Sequence, residues 1–221
     1  MAHRNQIEFI RENRDLIREP ILLVGAKIYD FDKFDLKHEL ADIGFTDVLG
    51  TDLEAGNGVD QTLDITDGNA SLLTERPAFF STIICMEVLT NVTNPFLAAC
   101  HVSKMLRPDG LVILSECTVR KISKMPVDYW RFTYDGLKAL FPDFEFDDAR
   151  GRISITRQRD GKLVPYKNKL EDVLRDRKHP DESLIGFILR RIHRRFFSNG
   201  IFMVSRMLPE QTIYAVGRKS R

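Results

Sequence analysis

The chain has 221 residues and is 43% hydrophobic, enough apolar material for one well-packed domain. Its 33 lysine and arginine residues balance 32 aspartate and glutamate residues, giving a formal net charge of +1. This balance excludes a global field that would select nucleic acid or a membrane as partner, and any basic surface must be local.

The chain opens with a predicted helix. Apolar residues recur at roughly helical spacing among charges in residues 1–20, and Pro20 ends the pattern. This stretch lacks the apolar segment of a signal peptide, and no run approaches the roughly 20 apolar residues that span a bilayer. We therefore expect a cytoplasmic protein whose three cysteines are reduced.

Five strands are predicted next, at residues 21–25, 46–53, 59–65, 81–88 and 110–117. Between the last two lies a helix with one apolar face, which ends at the turn Pro108-Asp109-Gly110. The continuous apolar runs "TIICM" and "LVIL" are typical of strands that are buried on both faces. The sequence therefore predicts an α/β fold with a mostly parallel central sheet and helices on both faces.

The pattern changes after residue 144. We expect an antiparallel hairpin that turns at Gly161, a basic amphipathic helix at 184–197, and a final antiparallel strand pair. The predicted organisation is a single domain of residues 1–221, with an N-terminal helix at 1–20, a core at 21–144 and a C-terminal extension at 145–221.

The basic helix has three interpretations. An apolar stripe with arginines beside it most often packs on its own domain or on a second copy of the chain, which would give a homodimer. A basic amphipathic helix can also lie on anionic lipid, which predicts a peripheral membrane contact through residues 184–197. Nucleic acid is not expected, because no basic stripe with interleaved aromatic residues occurs elsewhere.

Acidic residues end two of the predicted strands. In open α/β sheets, ligands bind beyond the carboxyl ends of the strands, where the strand order reverses. Asp52 ends the second strand, and its carboxylate can accept both hydroxyls of a ribose; the alternative is an ordinary turn aspartate. Asp64 and Asp67 follow the third strand and can accept the exocyclic amine of adenine, with a helix N-cap as the alternative for Asp67.

The order of these segments resembles the class I S-adenosylmethionine-dependent methyltransferases, in particular small methyltransferase-domain proteins found among glycan-modifying enzymes. The resemblance covers roughly residues 21–144. Its most specific segment is "PVDYWRFT", residues 126–133, followed by the crossover "MLRPDGLVIL". It implies a Rossmann-like fold, S-adenosylmethionine as cofactor, and a small polar acceptor such as a sugar or glycan intermediate.

The resemblance also implies roles for individual residues. Gly25 would lie under the cofactor, Asp52 would hold the ribose, and Asp64 with Ile65 would flank adenine. Leu53 would also bind the cofactor. The methionine end would be lined by the residues that finish the fourth strand, which are Cys85, Met86 and Glu87. The candidate catalytic residues are Glu87, Asp128 and Arg131, the last two on the acceptor side.

Four positions depart from the family pattern and favour an alternative. Leu23 stands where the family usually has an acid that binds the methionine amino group, and Lys27 brings a cation to the turn that usually continues Gly-x-Gly. Thr90 and Asn91 stand where relatives commonly have Glu-His. The alternative is a catalytically inactive methyltransferase-like binding or scaffolding protein. No metal site is predicted, because no His or Cys pair has ligand spacing.

Overall fold

The structure is a computed structural model that describes residues 3–30, 32, 34–120, 122, 127–154, 163–166, 183–197 and 211–221. The chain divides into two compact units, one of Met1–Tyr166 with Pro209–Arg221 and one of Lys167–Leu208. In the second unit the described residues form one helix. The single-domain expectation for residues 1–221 stays a prediction.

A mixed sheet organises the first unit. Its described strands are β1 (Ile21–Val24), β2 (Val48–Asp52), β3 (Gln61–Thr62), β4 (Phe80–Met86), β5 (Leu106–Val119), β6 (Phe144–Phe146), β7 (Arg152–Ser154), β8 (Leu163–Pro165) and β9 (Gln211–Lys219). Their order is β3-β2-β1-β4-β5-β9-β7-β8, with β6 also paired to β9. Strands β1 to β5 run parallel, whereas β9 is antiparallel to β5, β6 and β7. The order reverses at β1, which has β2 on one side and β4 on the other.

The period of two along the strands builds a separate core on each face of the sheet. Leu22 and Val24 of β1 join one buried cluster, and Ile21 and Leu23 join the other. All seven residues of β4 are buried, as the continuous apolar run predicts for a strand covered on both faces. The predicted parallel α/β sheet is therefore confirmed.

Helices cover both faces. They are α1 (Arg4–Glu12), α2 (Leu36–Asp42), α3 (Ser71–Glu75), α4 (Pro95–Met105) and α5 (Tyr134–Ala139), with a 3₁₀ turn at Leu89–Asn91. The described helix of the second unit is α6 (Leu184–Phe197). Residues of α1 and α2 belong to one cluster, and residues of α3, α4 and α5 belong to the other. Helix α4 begins with Pro95, and the Asn94 side chain accepts a hydrogen bond from the Leu97 amide at 3.0 Å.

Three predicted elements differ in extent from the structure. The helix expected in residues 1–20 ends at Glu12, and the turn expected at Pro108-Asp109-Gly110 lies within β5. The strand expected at 59–65 is reduced to Gln61–Thr62, and Asp60 before it turns its carboxylate back to accept the Gly50 amide at 2.7 Å. The expected hairpin is present as the β7–β8 pair, while its turn at Gly161 lies outside the described residues. Of the expected final strand pair the structure describes β9; the other part, at 201–210, also lies outside the described residues.

Among the described helices, none is long and apolar enough to cross a membrane.

Candidate active site

A cavity of about 360 Å³ lies at the carboxyl ends of β1, β2 and β4, where the strand order reverses. Pockets for small ligands commonly measure about 300–1,000 Å³ and favour this place in open α/β sheets. Its walls come from the segments that follow β1, β2, β3, β4 and β5, all within the first unit. Seven of the residues expected to form a site line it: Gly25, Asp52, Leu53, Asp64, Ile65, Met86 and Glu87.

Gly25 lies in the cavity wall in close contact with Val88, which belongs to the loop after β4. Its φ of +81° lies in the left-handed region, and a Cβ there would stand 2.6 Å from Cγ2 of Val88. The Gly25 amide donates to the Thr51 carbonyl oxygen at 2.8 Å. A side chain at this position would therefore push Val88 out of the cavity wall.

Asp52 is fixed at the end of β2 by the turn that follows β1. The Lys27 amide donates to its Oδ2 at 3.0 Å, and the Glu54 amide donates to its Oδ1 at 3.4 Å. Each carboxylate oxygen has two lone pairs, so both can still accept hydroxyl groups of a ligand in the cavity.

The cation that replaces a glycine in this turn is paired. Lys27 Nζ lies 2.5 Å from Glu54 Oε2 and 5.2 Å from the centre of the Tyr29 ring. The hydrogen bond with Glu54 raises the pKa of Lys27 and lowers the pKa of Glu54. The repulsive charge expected from the sequence at this position is therefore balanced at the rim of the cavity.

The residues after β3 form the opposite wall. Asp64 Oδ1 accepts the amide of Thr66 at 2.8 Å and its hydroxyl at 2.6 Å, which folds the chain into a tight turn. The ring of His101 lies 2.8 Å from the Ile65 carbonyl oxygen and supports this turn from α4. Asp67 does not cap α3, whose N-cap is Ala70.

The end of β4 brings a carboxylate into the cavity. Glu87 has a φ of +55°, which is uncommon for a residue with a side chain. Its Oε2 lies 3.2 Å from Nε2 of His3, at the start of α1, and accepts from NH1 of Arg120 at 3.2 Å. Cys85 is fully buried in the core and is not part of the lining; burial raises the pKa of its thiol well above the usual value.

Glu116 on β5 holds the loop after β4 by hydrogen bonds to its backbone. Its fully buried carboxylate accepts the amides of Val88 at 3.1 Å, Leu89 at 2.7 Å and Thr90 at 3.1 Å, and the Thr90 hydroxyl at 2.6 Å. Burial raises the pKa of Glu116 to about 7, and the hydrogen bonds from Thr90 and Leu89 oppose this rise. Thr90 therefore has a structural partner that its place in the sequence does not reveal.

The segment 127–133 lies along the same loop. The amides of Tyr129 and Trp130 donate to the Thr90 carbonyl oxygen at 3.0 and 3.2 Å, and Trp130 Nε1 donates to the Val92 carbonyl oxygen at 2.8 Å. Tyr129 lines the cavity, whereas Phe132 is buried in the core.

Asp128 and Arg131 form an ion pair beside the cavity and are not among its lining residues. The Asp128 side chain is only 2% exposed, and Arg131 NH2 donates to its Oδ2 at 2.7 Å. Arg120 approaches Asp128 Oδ1 to 3.9 Å and so connects this pair to Glu87.

Three functional candidates were missed in the sequence: Arg120, which lines the cavity, and His3 and Glu116, which contact the lining residues Glu87 and Val88. The only available signal was the place of Glu116 and Arg120 near the end of the fifth apolar strand. Among the described residues, no cluster of His, Cys, Asp or Glu could hold a metal ion.

Comparison with known proteins gives structural relatives alone. No protein-family model and no curated protein matches the chain. A methyltransferase from Archaeoglobus fulgidus, described as dependent on S-adenosylmethionine, is similar with 11% identity and a TM-score of 0.54, over 99% of this chain and 95% of that chain. The YcgJ protein of Bacillus subtilis is similar with 11% identity and a TM-score of 0.54, over 97% of this chain and 98% of that chain.

A third relative is described as a [4+2]-cyclase, SpnF, with 14% identity and a TM-score of 0.54 over 98% of this chain and 81% of that chain. The sheet order, the helices on both faces and these neighbours define the class of fold. The chain has the Rossmann-like fold of class I S-adenosylmethionine-dependent methyltransferases. Because a cyclase shares this fold, the reaction has to be argued from the site.

Proposed function

We propose that the protein binds S-adenosylmethionine in this cavity and transfers its methyl group to a small polar acceptor. The observation that carries the proposal is the carboxylate of Asp52, held at the end of β2 by the Lys27 amide and facing a cavity of ligand size. Asp52 would accept the ribose hydroxyls, while Leu53, Asp64 and Ile65 would enclose the adenine ring.

Glu87 compensates for the acid that the first strand lacks. Leu23 is buried in the core and offers nothing to an ammonium group. Glu87 enters the cavity from the neighbouring strand, where Val24 pairs with Cys85, and thus lies close to Gly25. Its carboxylate would bind the amino group of the methionine part, beside Met86, with His3 and Arg120 fixing its orientation.

The acceptor would enter along Tyr129, which is about half exposed and lines the cavity. An aromatic ring next to Arg120 suits a sugar or a glycan intermediate. Asp128 and Arg131 would act on this side by holding the segment that carries Tyr129. The bound cofactor would supply an activated methyl group, and the chain would contribute mainly the positioning of the acceptor for in-line attack.

The test is calorimetric titration of the purified protein with S-adenosylmethionine and with S-adenosylhomocysteine. We expect micromolar binding in the wild type and a loss of at least tenfold in Asp52→Ala, because two hydrogen bonds to a charged acceptor disappear. Asp52→Asn keeps one acceptor oxygen for the Lys27 amide and should lose less. Asp42→Ala, an exposed carboxylate at the end of α2, is the matched control.

Absence of heat at millimolar ligand in a folded protein would overturn the proposal. Binding that is insensitive to Asp52→Ala would move the site elsewhere. Binding without any methylated product across sugar and glycan acceptors would favour the alternative of an inactive binding or scaffolding protein.

A further inference from the structure

Helix α6 carries large apolar side chains that are exposed in the described part of the chain. It begins after Ser183, whose hydroxyl accepts the Gly186 amide at 3.0 Å and caps the helix. Large apolar side chains along one side of the helix are 46–72% exposed, and they are Leu184, Ile185, Ile188, Leu189 and Ile192. A second surface can therefore still cover these five side chains.

The charge of this helix is of one sign. Residues 184–197 read "LIGFILRRIHRRFF", with four arginines, one histidine and no acidic residue. The arginines occupy positions 190, 191, 194 and 195, all in the second half of the helix. The whole chain carries only +1, so this positive charge is local.

Two partners could cover the apolar side chains of α6, a second copy of the chain or an anionic lipid surface, and the positive charge of the helix favours lipid. In a twofold dimer built on this face, each copy would bring four arginines and no acidic residue of this helix into one interface, so the helix itself offers no opposite charge to the partner copy. An anionic lipid surface instead matches both the charge and the apolar residues of the helix. Its headgroups can pair with arginines while apolar side chains enter the acyl boundary. At about 1.5 Å per residue, such a helix can lie in the interface but is too short to span a bilayer.

We propose that helix α6 is an interfacial anchor that binds anionic phospholipid headgroups and lays its apolar face in the membrane surface. The inference is independent of the proposed methyl transfer, because it rests on residues of the second unit alone. It would bring the first unit to an acceptor that is lipid-linked or presented at a membrane.

The experiment is vesicle flotation of the full chain, with vesicles of phosphatidylcholine alone or of phosphatidylcholine mixed with phosphatidylglycerol. We expect binding to the anionic vesicles and little to the neutral ones. Arg190→Glu with Arg194→Glu should reduce the bound fraction at least about tenfold, since each basic residue near an anionic surface contributes to attraction. Ile188→Glu with Ile192→Glu should do the same without changing the basic residues.

A matched control reverses two exposed charges elsewhere, with Arg4→Glu and Lys104→Glu, and should float like the wild type. Circular dichroism verifies that all variants fold. Three outcomes would overturn the proposal: no flotation with anionic vesicles, flotation unchanged by both helix variants, or a wild-type dimer that the Ile188 and Ile192 changes dissociate while flotation persists. Titration with S-adenosylhomocysteine in the absence of vesicles tests the proposed cofactor site separately.

Discussion

Lys27 and Glu54 form an ion pair at the rim of the cavity, with 2.5 Å between Nζ and Oε2. The pair joins the turn after β1 to the segment after β2, on either side of Asp52. Glu54 therefore offsets the repulsion that the Lys27 cation would exert on a positively charged ligand in the cavity.

The first prediction concerns this balance. Glu54→Gln leaves the Lys27 cation unpaired and should weaken binding of S-adenosylmethionine, a sulfonium cation, by about two- to fivefold. S-adenosylhomocysteine, whose sulfur is neutral, should bind almost unchanged. The double variant Lys27→Met with Glu54→Gln should restore the ratio of the two affinities, measured by calorimetry. Equal weakening of both ligands would point to a damaged turn instead.

The second prediction tests Glu87 as the partner of an ammonium group. Glu87→Gln should weaken S-adenosylhomocysteine about tenfold or more, because the ligand's ammonium group loses its ion pair and keeps only a hydrogen bond to a neutral acceptor. It should leave 5′-methylthioadenosine, which lacks the amino-acid part, unaffected. Asp52→Ala should weaken both ligands, because both carry the ribose. If Glu87→Gln weakened both compounds alike, Glu87 would be supporting the cavity wall only.

The third prediction concerns Gly25. Gly25→Ala forces an alanine into a left-handed backbone conformation and into contact with Val88, and should lower the free energy of unfolding by about 1–3 kcal/mol. Gly68→Ala is the control, since its nearest neighbour is the His101 ring at 3.9 Å. Urea unfolding compares the two variants, and equal stabilities would show that Val88 yields without strain.

The fourth prediction is a pH dependence that Glu116 produces. Its pKa is raised from 4.5 to about 7 in the folded protein, so the folded state holds this proton more tightly than the unfolded chain. The resulting stability is fully present below pH 4.5 and is lost as the pH rises through about 7. Urea unfolding at about pH 6 and about pH 8.5 should therefore show a larger loss in the wild type than in Glu116→Gln.

Thr90→Val sharpens this test. It removes the hydroxyl that donates to Glu116 Oε2 at 2.6 Å and favours the charged carboxylate. The variant should lose about 1–3 kcal/mol more than the wild type at the higher pH, where the carboxylate is ionised. A loss that is the same at both pH values would contradict the assignment of the titration to Glu116.

The fifth prediction concerns Asp128 and Arg131. A double-mutant cycle of Asp128→Asn and Arg131→Gln should give a coupling of about 1 kcal/mol or more in the free energy of unfolding, because the Asp128 side chain is almost fully buried. S-adenosylhomocysteine should bind both variants normally, since neither residue lines the cavity. Additive effects on stability would mean that Arg131 does not stabilise the folded protein through the Asp128 carboxylate.

Much of the fold follows from local sequence patterns. The continuous apolar runs of β4 and β5 and the apolar face of α4 each reflect burial against the sheet, and each element lies close to its predicted place. The strand expected at 59–65 is longer than the observed β3, Gln61–Thr62. This strand lies at the edge of the sheet, where apolar and polar residues alternate beyond the paired residues. Asp60 uses its side chain to hold the Gly50 amide, which no periodicity reports.

The site was predictable only where it depends on strand ends. Asp52 ends β2 and Glu87 directly follows β4, and these two strands are the parallel neighbours of β1. The carboxyl ends of parallel strands meet at one edge of the sheet, so both carboxylates are expected there. His3 reaches Glu87 from 84 residues away, and its contact depends on how α1 packs across the sheet. Such a long-range contact has no signal in the neighbouring sequence.

The position of β9 has a consequence for how the fold is assembled. This strand lies inside the sheet, between β5 and the pair of β6 and β7, yet it follows α6 in the chain. Until it docks, the amide and carbonyl groups of β5 that pair with β9 along Leu111–Val119 have no partner strand. Such an edge is a template for pairing with another chain, and closing it requires a contact between distant segments, which is slow to form. The interval between synthesis of β5 and arrival of β9 is therefore one in which this edge can pair with a second chain.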